Sequence, residues 1–210
     1  DLVEEVNEEI EEECEVMPMM YPIGLIHGTY IICQNEIGMY IIDQHAAKER
    51  INYEIVKEKL NNPKKESIQM MFPLTIEYTN SEYTILKENF EFLRTLNFEI
   101  EEFGINSVIV KSHPVWLPKG NEDNSIKKVL ELVIEKEKNF NLDKFNDNVA
   151  ATMACKMSIK ANTSITTEEM ENLINDLRKC KNPFNCPHGR PTIIFHSNYD
   201  LEKMFKRSGF

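Results

Sequence analysis

The chain has 210 residues, 41% hydrophobic and 28% charged, which is ordinary globular composition with length for one large domain or two small ones. Its formal net charge of −11 disfavours tight DNA binding by backbone electrostatics alone, so any nucleic-acid role needs metal ions, a local basic face or a partner. No apolar run approaches the roughly 20 residues of a membrane span, and the acidic first residues lack the basic segment of an export signal.

Residues 1–18 hold Glu4, Glu5, Glu8, Glu9, Glu11, Glu12, Glu13 and Glu15 and read as the end of an acidic linker. The chain starts at Asp1 with no initiator Met, as expected of a piece of a longer protein. Folded structure is expected from Met19. Residues 25–34 and 39–43 are rich in β-branched and aromatic side chains and read as two strands around a short turn. His27 has no partner at metal-ligand spacing and reads as a sheet or core histidine.

The second strand ends in Asp43, at the N-cap position of a helix expected over 44–60. Helical spacing puts His45 and Glu49 at i and i+4, on one face and about 6 Å apart at Cβ. Asp43 at the strand end can point into the same space. Glu54 lies nine residues past His45, about half a turn round the axis, so its phase suits a supporting salt bridge. Alone, Asp-x-His-x3-Glu is more often a cap and a polar helix face than an ion site.

Residues 61–65 read as a loop, and the second half of 67–78 alternates like a strand. Tyr83, Leu86, Phe90 and Leu93 form one stripe of a helix over 80–97. A hairpin is expected over 98–103 and 107–111, and Pro114 and Pro118 bracket a loop or edge segment. Ile126, Val129, Leu130 and Val133 mark another helix, followed by polar residues 135–148. A helix over 150–160 gathers Ala151, Ala154, Cys155 and Ser158 on one face. Thr166 with Glu169 forms a capping box for the next helix. A loop over 181–191, a strand over 192–195 and a helix carrying Leu201, Met204 and Phe205 close the chain. This order predicts an α+β fold in which residues 61–145 form a smaller α/β unit inserted into a larger one built by both chain ends, 19–60 and 146–210.

The five cysteines (Cys14, Cys33, Cys155, Cys180, Cys186) are an odd number, pointing to a reducing cytoplasm where thiols are buried, catalytic or metal-bound. Cys186-Pro187-His188-Gly189-Arg190-Pro191 sets a thiolate and an imidazole two residues apart on a fixed path. With Asp43, His45, Glu49 and Cys155 this completes six potential ligands. Structural zinc uses four. Six suggest two neighbouring ions, or one soft-ligand zinc beside an oxygen-rich second site, with a bound water suited to phosphodiester hydrolysis. Arg190 and Arg207 are candidates to hold a phosphate.

Asp43-Gln44-His45-Ala46-x2-Glu49-x4-Glu54 resembles the metal-binding motif of the C-terminal endonuclease domain of the MutL family of DNA mismatch-repair proteins. Ala154–Lys160, Cys186–Pro191 and Phe205-Lys206-Arg207 resemble that family's other three endonuclease motifs, in the same order, and the resemblance runs from about Tyr21 to Arg207. It implies Asp43, His45, Glu49, Cys155, Cys186 and His188 as metal-binding residues, with Asp43, His45 and Glu49 catalytic. It further implies manganese-supported nicking of double-stranded DNA and a bound, regulatory zinc. The implied architecture is a homodimer with an inserted outer, regulatory subdomain. Gln69-Met70-Met71-Phe72-Pro73 looks like the segment with which such domains dock on the replication sliding clamp; on residues alone it reads as a strand entry with buried Met and Phe. The family's other partners would be an N-terminal ATPase domain in the full-length chain and a MutS-type mismatch-recognition protein, in the bacterial cytoplasm. No glycine-rich nucleotide loop is present here.

Two other readings stand beside this one. A zinc-stabilised dimerisation and clamp-docking module would close its ligands into a four-coordinate site, and a small-molecule hydrolase would suit the acidic charge.

Overall fold

The computed structural model describes residues 16–62, 66–135, 141–158 and 164–207. The acidic run over 1–15, the loop residues 63–65, the polar residues 136–140 and Ile159 and Lys160 lie outside them.

Strands β1 (Tyr21–Ile26), β2 (Tyr30–Asn35) and β3 (Gly38–Asp43) open the fold as an antiparallel meander. The stretch 25–34 is therefore the end of one strand, a turn and a second strand. His27 and Gly28 both take positive φ, 51° and 64°, as the central residues of a type I′ turn require, and Thr29 N–H closes it on the Ile26 carbonyl within a three-residue loop between paired Ile26 and Tyr30. His27 is exposed in that turn and is neither a sheet nor a core residue. At the next turn Asn35 Oδ1 accepts the N–H groups of Ile37 and Gly38.

Helix α1 (Gln44–Asn61) follows β3 directly. Strand β4 (Ser67–Glu77) and helices α2 (Asn80–Glu88) and α3 (Phe90–Thr95) come next. The single helix expected over 80–97 is broken at Asn89, whose Nδ2 bonds to the Ile85 carbonyl, the side-chain competition that makes Asn a poor helix-interior residue. Leu86, Phe90 and Leu93 still share one buried stripe. Strands β5 (Glu99–Glu102) and β6 (Ser107–Pro114) form the expected hairpin. After Pro114, Trp116 and Leu117 are buried.

Helix α4 (Glu122–Ile134) precedes α5 (Leu142–Ser158), which starts well before residue 150. Asn141 Oδ1 accepts the Lys144 N–H at 3.0 Å, and Phe145 and Val149 bury one side of an otherwise polar first half. Helix α6 (Thr167–Arg178) carries the full Thr166–Glu169 capping box and buries Met170, Leu173, Ile174 and Leu177. Strand β7 (Ile193–Ser197) and helix α7 (Asn198–Met204) end the described chain. The expected apolar face of α7 is open: Met204 and Phe205 are exposed, and no α7 residue is buried.

The two sheets run β1-β2-β3-β7 and β4-β6-β5, all antiparallel. Among the described residues two apolar cores form. One gathers Ile31, Cys33, Tyr40 and Ile42 with Ala47 and the α6 stripe. The other gathers Leu86, Leu93, Ile100, Val108, Trp116 and the α4 stripe with Val56 and Leu60 of α1 and Val149 and Met153 of α5. Helices α1 and α5 lie antiparallel, with Asn146 bonded to Asn61 near one end and Ser158 bonded to Asn52 towards the other. This helix pair joins the two cores and carries the chemistry described next.

Candidate metal centre

The centre is built where β3 gives way to α1. Asp43 N–H bonds to the Thr192 carbonyl, tying the strand end to the loop before β7. Asp43 Oδ1 accepts the N–H groups of His45 and Ala46 at 2.8 and 3.0 Å, satisfying donors that the first helical turn leaves over. Helical phase then brings His45 Nε2 within 3.1 Å of Glu49 Oε1. His45 Nδ1 lies 3.2 Å from the Ser158 carbonyl of α5. A carbonyl only accepts, so Nδ1 carries the proton and Nε2 is turned to the carboxylate. A metal-ligating histidine is held in this way by its other ring nitrogen.

The second wall is the loop over 181–191. Cys186 N–H bonds to the Arg190 carbonyl and Gly189 N–H returns to the Cys186 carbonyl, a turn in which Gly189 takes φ 81°. Arg50 Nε of α1 donates to the Asn185 carbonyl at 2.5 Å. The Glu54 carboxylate accepts the N–H groups of Lys181 and Asn182 at 2.7 and 3.2 Å and lies 3.7 Å from Arg50. Glu54 is therefore a brace on the loop, on the flank of α1 that its helical phase predicts.

Glu49, Cys186 and His188 meet at the centre, each offering a ligand atom within 4.8 Å of the others. Glu49 is 1% exposed, and Arg190 Nη2 sits 2.6 Å and His188 Nδ1 3.4 Å from its Oε2. Burial pushes the Glu49 carboxyl up, but the Arg190 hydrogen bond and charge, with His45 and His188, outweigh it and hold the group below its usual value. Cys155 of α5 reaches the same carboxylate. Burial, then the Glu49 charge and hydrogen bond, raise its thiol. Hydrogen bonds to Cys186 and Glu49 push the Arg190 guanidinium further up. A carboxylate, two thiols and two imidazoles in one half-buried space fit a borderline-soft divalent ion such as zinc.

Of the residues singled out in the sequence, the fold gathers Glu49, Cys186 and His188 as one group and sets His45 and Cys155 against Glu49. Asp43 caps α1 and lies outside the group of three. Arg190 is bonded to Glu49 across 141 positions of chain. Arg207 follows α7 on the surface, its N–H on the Glu202 carbonyl, and among the described residues none of the bonds at the centre involves it. Arg50 was not singled out, although its i,i+4 spacing to Glu54 marked it as a brace. Gln69–Pro73 falls at the register shift of the edge strand β4, where the ladder to β6 is interrupted between Gln69 and Leu74. Met70 packs on the core, whereas Met71 and Phe72 are 87% and 81% exposed, which corrects the expectation of a strand entry with buried Met and Phe.

An α+β domain with a half-buried Cys/His/carboxylate centre is the class that the fold and site define. The chain belongs to the family described as the MutL C terminal dimerisation domain, whose model matches residues 23–165. It is 47% identical over 206 residues to a DNA mismatch repair protein MutL of Bacillus pumilus, covering 98% of this chain and 32% of that protein. It is 45% identical to the protein of the same name in Shouchella clausii, over 91% of this chain and 29% of that one. With the protein of that name in Listeria innocua the identity is 44%, over 95% of this chain and 33% of the relative. The chain thus spans about a third of the length of these curated relatives. Among the described residues no helix is long and apolar enough to cross a membrane.

Proposed function

We propose that this chain is the endonuclease domain of a DNA mismatch-repair protein, a homodimer that nicks double-stranded DNA with bound metal and is stimulated by the sliding clamp. The observation that carries the reading is the convergence of Glu49, Cys186 and His188, with His45 and Cys155 against Glu49, next to the acidic helix cap Asp43. Zinc suits the thiolate side of this set, and manganese, which prefers oxygen, suits the side near Asp43. A bound divalent ion would supply Lewis acidity at a phosphate and a water of lowered pKa. The chain's own residues do the rest. Ser158 fixes the His45 ring, the loop bonds of Arg50 and Glu54 hold Cys186 and His188 in place, and half-exposed Arg190 can turn from Glu49 to a phosphate.

The remaining elements suit the same role. The face of the first sheet opposite the helices leaves Tyr21, Ile26, Tyr30 and Ile194 exposed, and Met204 and Phe205 at the α7 end are exposed as well, apolar surface suited to a second copy. Residues 19–60 and 146–210 would make this dimerisation unit and 61–145 the inserted regulatory one. Exposed Met71 and Phe72, on a bulged edge ending in Pro73, suit a groove on the sliding clamp. An N-terminal ATPase domain, a MutS-type recognition protein and a cytoplasmic setting complete the proposal.

One observation favours the second reading, a zinc-stabilised dimerisation and docking module: Asp43 is engaged as a helix cap and stands outside the group of three. Conversion of supercoiled plasmid to open circle by this chain with manganese, with and without the clamp, decides between them. Nicking that chelator abolishes supports the endonuclease; its absence under all conditions leaves the module.

A further inference from the structure

One cleft, about 730 Å³ beside the outer flank of α1, mixes its charges, since Glu54, Glu58 and Asp176 line it together with Arg50, Lys57, Lys179 and Lys181. A second cleft does not. It measures about 480 Å³, lies between α1, the segment after β6 and the end of α5, and its only charged lining residues are Lys59, Lys119 and Lys156. Among the described residues none of the three makes an ion pair, whereas Lys57, Lys87, Lys111, Lys128 and Lys179 each pair with a carboxylate. The acid nearest Lys119 in sequence, Glu122, is turned back on the Gly120 N–H, and Glu58, next to Lys59, lines the other cleft. Lys59 and Lys119 are exposed, and the floor beneath them is apolar, with Val56, Trp116 and Met157.

In a chain of net charge −11 a cleft whose charged lining is lysine alone, over an apolar floor, suits an anionic occupant. Their position says which one. At 100° per residue His45, Glu49, Asn52, Val56 and Lys59 fall within about 80° of each other round α1, so the face that carries the metal ligands runs straight into this cleft. Lys59 lies ten residues beyond Glu49, about 15 Å along the axis, or about four steps of the 3.4 Å rise of a DNA strand. On α5, Lys156 directly follows Cys155.

We infer that Lys59, Lys119 and Lys156 seat the sugar–phosphate backbone of duplex DNA beside the point of cleavage, with Lys59 about four base pairs from it. This rests on the nuclease reading above. A cleft with lysine as its whole charged lining, beside the face that carries the metal ligands, suits a polyanion that reaches both. Backbone contacts of this kind carry no sequence information and set the register of the strand on the centre.

The test is duplex binding by fluorescence anisotropy in chelator, where no cleavage occurs, from 50 to 200 mM salt. The proteins are the native chain, Lys59→Ala/Lys119→Ala, and Lys87→Ala on α2, which lines neither cleft, as a control. All three sites are exposed or half exposed, and unchanged thermal midpoints and zinc uptake confirm intact folds. The double variant is expected to bind several-fold more weakly at 50 mM salt, with a log–log salt slope shallower by about 0.9 for each lysine removed, and the control to match the native chain. Equal slopes and affinities for double variant and native chain would overturn the inference. So would displacement of the duplex by an equal concentration of nucleoside triphosphate, which would mark a small-anion pocket. A native chain that binds through these lysines yet never nicks with manganese would leave the cleft standing and remove the nuclease reading alone.

Discussion

Arg190 Nη2 lies 2.6 Å from Glu49 Oε2, a cation from the loop before β7 set on a fully buried carboxylate of α1. Removing it leaves that carboxylate with less compensation. Arg190→Ala is expected to lower stability by about 1–3 kcal/mol, less than a fully buried pair would because the guanidinium is half exposed. A metal ion offers the same compensation, so saturating zinc should raise the thermal midpoint of the variant more than that of the native chain. Equal rises would mean that Arg190 and the ion do not share Glu49.

Asp43 can be a cap, a ligand or both, and two substitutions separate the roles. Asn caps as well as Asp, whereas Ala costs about 1 kcal/mol. Asp43→Asn is therefore expected to keep the native melting midpoint and lose nicking, and Asp43→Ala to lose both. If Asp43→Asn nicks at the native rate, capping is the whole role of the residue.

Glu54 holds the loop through two backbone N–H groups and one arginine. Glu54→Ala should loosen Cys186 and His188 without removing a ligand and weaken zinc binding about 10–100-fold, the usual effect of losing an outer support. Competition with a chromophoric chelator reads this directly. An unchanged affinity would show that the turn at Cys186–Gly189 holds itself.

The α6 capping box gives a pH signature away from the centre. The backbone hydrogen bond from Thr166, then that from its side chain, hold Glu169 below its reference value of 4.5. A carboxylate lowered on folding adds stability that is complete above the unfolded value and is lost as the pH falls through the lower folded one. The melting-midpoint difference between the native chain and Glu169→Gln should thus be constant above pH 4.5 and shrink below it. A difference that grows on acidification would contradict the assignment.

What was legible in the sequence is what local chemistry decides. The Asp43 cap, the His45–Glu49 face, the phase of Glu54 and the Thr166 box each follow from residues within one or two turns. Less legible were places where a side chain or glycine competes with the regular pattern. Gly28 turned a single apolar run into a hairpin, and Asn89 broke a helix that kept its buried stripe. The start of α5 was hidden because Phe145 and Val149 are its only buried apolar residues before 150, beside a buried Asn146. Long-range pairing was not legible at all: nothing local to Arg190 says that its partner is Glu49 and not a phosphate. The exposure of Met71 and Phe72 likewise depends on a register shift against β6, which no pattern within β4 announces.

If the Glu49 centre cuts DNA, nicking of supercoiled plasmid, with manganese at low salt, separates the native chain from Glu49→Gln. Gln is near-isosteric and removes only the charge that gathers Arg190, His45 and His188. Open-circle product is expected from the native chain, with a loss of at least about 100-fold in a variant that remains folded and dimeric. Equal nicking by the two proteins would contradict it.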